Sequence, residues 1–388
     1  MTVNQNLQAN KVFMFSSVHV WSDTRIYFKE AMTLAENGFI VDFNAIEGPN
    51  ACIETNTELH VTTLPRGGKM ARPKRWKQLY EKALVSDALY YHFHDFELLF
   101  LAPKLKKRKP NCKIIYDMHE NFPAMLRTKE WIPAPARIPL SKWLAHKEKQ
   151  WMPACDAVIF AETSYKKQYE QVAIQQVDIL NLPTWQAETK ANKEEAFTFV
   201  YVGDIVRDRG VFDMLDLMRT LKQRGYTQIH LKLIGPMQPQ VEAEVTAYIA
   251  KHELESIVTT FGRIPYTEIW QHYATAHVGL CLLHPIPNYM HSLATKLFEY
   301  MAAGLPILAT DIPDWKALIE ETDTGLTANV WDIEVVANQA ERFIQDMALR
   351  QRFATNGRTA FETTYNWQTE ADKLIDLYST IRMNKHER

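Results

Sequence analysis

Short β-branched or aromatic runs alternate with longer helical patterns along almost the whole chain, and the alternation lapses only once. The first series of strand candidates is Val12–Ser17, Phe39–Asn44, Ala88–His92, Lys113–Met118, Ala157–Ala161 and Val177–Leu180. The second is Phe197–Gly203, Ile229–Gly235, Ile257–Gly262, Val278–Leu283, Pro306–Thr310 and Gly325–Ala328. Between them Pro183–Glu195 is polar and without periodicity, and reads as a linker. Strands that alternate with helices belong to parallel sheets wrapped by helices. A chain of 388 residues exceeds what one core usually supports, so the reading is α/β with two doubly wound domains, 1–185 and 196–364. Such sheets bind ligands at the carboxyl ends of their strands, which places substrates in a cleft between two sheets that face each other. The last segment, 365–388, carries Trp367, Ala371, Leu374, Ile375 and Leu377 at amphipathic helical spacing. Spacing alone leaves open whether it stays with the second domain or crosses back to the first.

No run approaches the roughly 20 apolar residues a membrane span needs, and Met1–Asn10 is polar, unlike a secretory leader. Cys52, Cys112, Cys155 and Cys281 lack metal-ligand or disulfide spacing and read as buried thiols of a reducing cytosol. The net charge of −2 hides an asymmetry: residues 1–190 hold 25 Lys+Arg against 20 Asp+Glu. One basic cluster comprises Arg66, Lys69, Arg72, Lys74, Arg75 and Lys77 with Trp76 inside it; another is Lys104, Lys106, Lys107, Arg108 and Lys109. Cations interleaved with an aromatic suit an anionic membrane surface, so Arg72, Lys74, Arg75, Trp76 and Lys77 are the membrane candidates. A solvated helix or loop face explains the second cluster equally well. Nucleic acid is not expected, because the chain is slightly acidic and carries no recognised binding motif.

The most informative stretch runs from Ser292 through Thr295-Lys-Leu-Phe-Glu-Tyr-Met-Ala-Ala-Gly-Leu-Pro306 to Asp311. Ser292 can cap a helix that ends at Gly304. Lys296 and Glu299, three apart, share one helix face. A cation and a helix N-terminus favour phosphates, and a carboxylate can accept from vicinal ribose hydroxyls, so the pair suits a nucleoside diphosphate. A bare exposed ion pair is the plainer alternative. Among 13 histidines, His119 follows a strand at its carboxyl end and is flanked by Glu120, which makes it a catalytic candidate. His94 with Asp95, and His19 with Arg25, are candidates for acceptor contact, whereas His92 reads as core. No Asp-x-Asp pair occurs, so no two-carboxylate metal clamp and no cofactor are expected.

The block Thr295–Pro306 resembles the donor-binding helix of retaining GT-B glycosyltransferases, family 4 in particular, and the likeness extends along nearly the whole chain. Phe199-Val-Tyr-Val-Gly203 with Arg209-Gly210 is similar to the first strand and phosphate loop of the second domain, and Phe261-Gly-Arg-Ile264 to the segment that holds a uracil-type base. His92-Phe-His-Asp95, Tyr116–Pro123 and Asp23-Thr-Arg-Ile26 resemble first-domain loops, the last of a polysaccharide-assembly type. The resemblance implies two Rossmann-like domains about a central cleft, a terminal helix from Tyr365 and Trp367 onward that crosses back to the first domain, Glu299 on the ribose, Lys296 and Arg209 on the diphosphate, and His119 beside the donor sugar. Gly203, Gly235, Arg263, Ile264 and the run His291-Ser292-Leu293-Ala294-Thr295 complete the implied donor site. His19, Arg25, His94, Asp95 and Glu120 are implied on the acceptor side. Two departures stand out: His291 occupies the position of the family's first glutamate, and Asp204 that of a frequent arginine. The implied activity is metal-independent transfer, with retention, of a sugar from a nucleotide-sugar donor, UDP-linked by preference. A lipid-linked saccharide is the implied acceptor, met at the inner face of the plasma membrane. A nucleotide-sugar epimerase of the same fold and an inactive assembly subunit are the alternatives.

Overall fold

The computed structural model describes residues 10–48, 56–128, 132–185, 191–287, 289–290 and 292–383. The chain forms two compact units, residues 1–181 with 367–388, and residues 182–366. The first is built on β1 (Lys11–Val20), β2 (Ile40–Ile46), β3 (Leu59–Leu64), β4 (Tyr90–Phe93), β5 (Lys113–Met118), β6 (Ala157–Phe160) and β7 (Gln175–Asp178). They pair in parallel in the order β3-β2-β1-β4-β5-β6-β7. The second holds β8 (Phe197–Val202), β9 (Ile229–Ile234), β10 (Val258–Thr260), β11 (Val278–Cys281), β12 (Ile307–Thr310) and β13 (Gly325–Ala328). Their order is β10-β9-β8-β11-β12-β13, again all parallel. In each sheet the order reverses beside the first strand, and a doubly wound sheet opens its ligand crevice there.

Strands β4, β5 and β6 are buried throughout, as the mostly apolar strands of a covered parallel sheet are, with His92, Lys113 and Asp117 buried among them. One face of the first sheet packs against Tyr27, Ala31 and Leu34 and against the helix Trp367–Met383, through Trp367, Leu374, Tyr378 and Ile381. Tyr90 donates from its hydroxyl to the carbonyl of Tyr378, and Trp367 Nε1 donates to Thr33 Oγ1. The other face is covered by the helices Arg72–Val85 and Ala102–Arg108 and by the end of Ala134–Trp151. β3 was absent from the strands read out of the sequence. It is an edge strand whose only fully buried residues are Leu59 and Leu64, so it has no apolar run to show.

The basic segment departs from its expected role. Arg75 is buried and donates to the carbonyls of Ser17 and Gly67. Arg72 pairs with Glu97 at 2.6 Å, and Trp76 donates to the same carboxylate at 2.8 Å while packing on Phe100. The helix is amphipathic, and at its spacing these three fall on the inward side; only Lys74 and Lys77 of the five face solvent.

Candidate functional site

In the second unit a cavity of about 570 Å³ opens at the carboxyl ends of β8, β9 and β11. Gly203 ends β8 with φ +139°. A Cβ there would stand 3.4 Å from Lys296 Nζ and 3.5 Å from Arg209 Nη1, so two cations converge on a point where the backbone carries no side chain. Gly235 ends β9 with φ +149°, and a Cβ there would run into the carbonyl of Gly203. Only glycine lets these two strand ends close so tightly. Lys296 is buried, with its ammonium 4.5 Å from the centroid of the Tyr201 ring. Arg209 reaches Tyr289 Oη at 3.5 Å and lies 3.7 Å from Asp204, so the residue in the arginine position tempers the field instead of adding to it.

The helix carrying Lys296 begins at Thr295 and not at Ser292. Ala294 is its N-cap, without a side-chain cap, and the Ser292 carbonyl instead accepts from Trp315 Nε1 at 2.6 Å. Its first turn lies in the cavity wall, which Ser292, Leu293, Ala294, Thr295 and Lys296 form, while the Leu297 amide bonds back to the Ala294 carbonyl at 2.9 Å. Tyr300 seats the helix by packing its ring over Gly279 of β11 and donating to the Leu280 carbonyl. Glu299, one turn from Lys296, accepts from Tyr273 Oη at 2.9 Å; burial and that carboxylate hold the Tyr273 phenol well above its ordinary pKa. Arg263, Ile264, Tyr266 and Ile269 line the same cavity. The cavity thus has a dicationic end, a carboxylate further along, and an apolar wall.

At the carboxyl ends of β1, β4 and β5 the first unit holds a buried charged network centred on Asp117. Its carboxylate accepts from Arg25 Nε at 3.0 Å and Nη2 at 2.9 Å, and lies 3.1 Å from His94 Nδ1 and 2.7 Å from His119 Nε2. Glu30 lies 3.0 Å from Arg25 and 3.7 Å from His92 Nε2. Burial first, then the Asp117 charge, push the Glu30 carboxyl well above its usual range. Burial disfavours the Asp117 carboxylate, but Arg25, His119 and His94 together outweigh that penalty and hold it ionised, well below the usual range. Burial drives the His94 imidazole down to about 4, so it stays neutral. His19 stacks edge-on against His119 with centroids 5.0 Å apart. Burial disfavours the charged His19 ring, but Asp23 and Asp95 outweigh it and its pKa is raised.

This network revises several acceptor candidates. Arg25 is buried with its guanidinium on Asp117 and the Ile179 carbonyl, so it braces the site and presents nothing outward. His94 is buried, and Asp95 accepts from Ser16 Oγ at 2.9 Å and from the Ser17 amide. His19, His119 and Glu120 retain access to solvent. The second unit brings Gly203, Gly235, Arg209, Arg263, Ile264, Ser292, Leu293, Ala294, Thr295, Lys296 and Glu299 together in one cavity wall. His291 lies outside the described residues. Tyr289, Trp315 and Asp117 were missed. The first two carry no motif, whereas Asp117, two residues before His119, shares its side of the strand end.

Residues 184–360 match the family described as glycosyl transferases group 1. The capsular polysaccharide biosynthesis glycosyltransferase CapM of Staphylococcus aureus is 21% identical over 208 residues, 53% of this chain and 52% of CapM. The alpha-D-kanosaminyltransferase of Streptomyces kanamyceticus is 26% identical over 183 residues, 47% and 45% of the two chains. The chain thus spans about half the length of the curated relatives it matches. Among solved structures, sucrose-phosphate synthase from Thermosynechococcus elongatus superposes with a TM-score of 0.74 at 18% identity, over 96% of this chain and 99% of that one. HepE of Anabaena, in complex with UDP and glucose, gives 0.68 at 12% identity, over 95% and 99%. The two parallel sheets are those of the GT-B class.

Proposed function

We propose that the chain is a glycosyltransferase of the family 4 type that moves a sugar, with retention, from a UDP-linked donor to a lipid-linked saccharide. The convergence of Lys296 and Arg209 on the bare backbone of Gly203, one helical turn from Glu299, is the observation that carries this reading. A diphosphate would be held by the two cations and the positive N-terminal end of the helix, which also stabilise it as it leaves. Glu299 would take the ribose hydroxyls, and the Arg263–Ile264 wall the base. His119 is assigned to the transfer step, held through Nε2 by Asp117 so that Nδ1 is the nitrogen left for substrate. His19 and Glu120 are assigned to the acceptor. Positive charge from Lys296 and Arg209 does for the diphosphate what a divalent ion does elsewhere, so turnover is expected without metal. Relatives named for capsular polysaccharide and amylovoran biosynthesis support a role in building polysaccharide, and the acceptor in this proposal is a saccharide carried on a lipid at the cytoplasmic face of the membrane.

A thermal-shift screen against UDP, GDP, dTDP, CMP and their sugar conjugates, with and without EDTA, tests this, since a ligand bound by the folded state raises Tm by mass action. A shift with UDP that survives EDTA and disappears in Glu299→Ala is the expected result. A shift by no nucleoside diphosphate would overturn the reading and leave an inactive assembly subunit in its place.

A further inference from the structure

The helix Ala134–Trp151 turns Ser141 and Glu148 inward, where they bond to the Pro123 carbonyl and Tyr169 Oη at 2.6 Å each. At 3.6 residues per turn the opposite side carries Pro139, Trp143, His146 and Gln150, with Lys142 and Lys149 on its flank. Trp143 is 53% exposed and Ile138, on the same flank as the two lysines, 56%. Large apolar side chains held in water beside lysines are what an interfacial helix presents to a bilayer, indole at the headgroup level and ammonium groups toward phosphate. The neighbouring helices Arg72–Val85 and Ala102–Arg108 cover the same face of the sheet and are joined to this one by the ring contacts Trp76–Phe100 and Phe100–Trp151. Together the three helices expose seven cations (Lys74, Lys77, Lys104, Lys107, Arg108, Lys142, Lys149) against one exposed acid, Glu81. The other acid, Glu148, is buried. Met70, at the entry to the first of these helices, is 94% exposed.

We propose that this helical layer is a docking surface for an anionic lipid bilayer, with Trp143 inserted and the lysines on lipid phosphates. It moves the centre of the membrane contact from the Arg72–Lys77 segment to the helix Ala134–Trp151 and keeps only Lys74 and Lys77 of that segment, because Arg72, Arg75 and Trp76 are engaged by internal partners. The inference deepens the membrane part of the proposed function and stands apart from the donor cavity, which lies wholly in the second unit. The apolar insertion distinguishes a bilayer from a polyanion such as RNA, which the cations alone would also attract.

Flotation of the purified full chain with vesicles tests it, using phosphatidylcholine alone and phosphatidylcholine mixed with phosphatidylglycerol, at low and high salt. Binding to the anionic vesicles only, weakened by salt, is expected. Lys142→Ala with Lys149→Ala should lower the partition coefficient about fivefold for each cation removed. Trp143→Ser should lower it even at the salt concentration where the charge contribution is screened. Each variant's thermal shift with UDP is the separate readout: retained, it shows that folding and the donor site are intact. Equal binding to neutral vesicles, unchanged binding by all three substitutions, or retention of RNA in preference to vesicles would each overturn the proposal.

Discussion

Replacing Lys296 by methionine separates what the cavity does for a ligand from what it does for the fold. Lys296 Nζ and Arg209 Nη1 both lie within 3.5 Å of the point where a Gly203 Cβ would sit. They stand at most about 7 Å apart, a like-charge repulsion of about 2 kcal/mol at an effective dielectric of about 20. Asp204, 3.7 Å from Arg209, offsets part of it. Removing the ammonium also forfeits its contact with the Tyr201 ring, worth about 0.5–2 kcal/mol. The two changes oppose each other, so the unliganded variant should melt within about 2 °C of the parent. Toward UDP the same substitution loses one charge-assisted hydrogen bond, about 1.5–3 kcal/mol, and Kd should rise roughly 10- to 100-fold. Calorimetric titration with UDP and a melting curve on one preparation read both quantities. A Kd within about twofold of the parent, or affinity and Tm falling together, would refute the reasoning, since the lysine would then serve the scaffold. Arg209→Met should act on the same phosphates, so the double variant should lose less than the two single losses combined.

Three further outcomes are expected. Gly235→Ala should cost about 2–5 kcal/mol and abolish UDP binding, because its Cβ meets the Gly203 carbonyl; a urea melt with normal stability would contradict the close approach of β8 and β9. Glu148 is buried and its carboxyl is pushed up to about 7, so the folded chain holds a proton the unfolded chain has released. The stability this contributes is complete below the unfolded pKa and fades as pH rises through about 7, a loss of about 3 kcal/mol; Glu148→Gln should flatten the dependence of the urea midpoint on pH over that range. Tyr378→Ala should cost about 3–5 kcal/mol by chemical denaturation, because its ring is fully buried against Phe39 and Tyr90 and its hydroxyl lies 3.0 Å from His92 Nδ1.

Both parallel sheets were legible in the sequence because a covered parallel strand is mostly apolar along its length, as in Ile114–Met118 and Leu231–Ile234, where Asp117 and Lys232 are the single charged residues. The edge strand β3 lacked that signature. The cavity of the second unit was legible where one helix lines it: Lys296 and Glu299 lie within a turn of each other, and local spacing survives folding. What spacing cannot report is the partner a side chain finds across the fold. Arg72, Arg75 and Trp76 look like a solvent-facing cluster until Glu97 and the Ser17 carbonyl, distant in sequence, are brought beneath them. Arg25 likewise finds Asp117 92 residues away, which turns an expected ligand contact into a brace. Trp143 and Ile138 escaped notice for the opposite reason, since residues that look like core stay outside.

The first unit is discontinuous: its sheet is finished by Asp178, but Trp367, Leu374, Tyr378 and Ile381 reach it only after the whole second unit has been made. On the ribosome the unit therefore waits, with the seat beside Phe39 and Tyr90 uncovered, while residues 182–366 emerge and collapse on their own. Synthesis arrested anywhere before the last helix leaves that apolar seat bare, so a truncated chain carries a built-in mark for chaperones and proteases, whereas a complete one erases it.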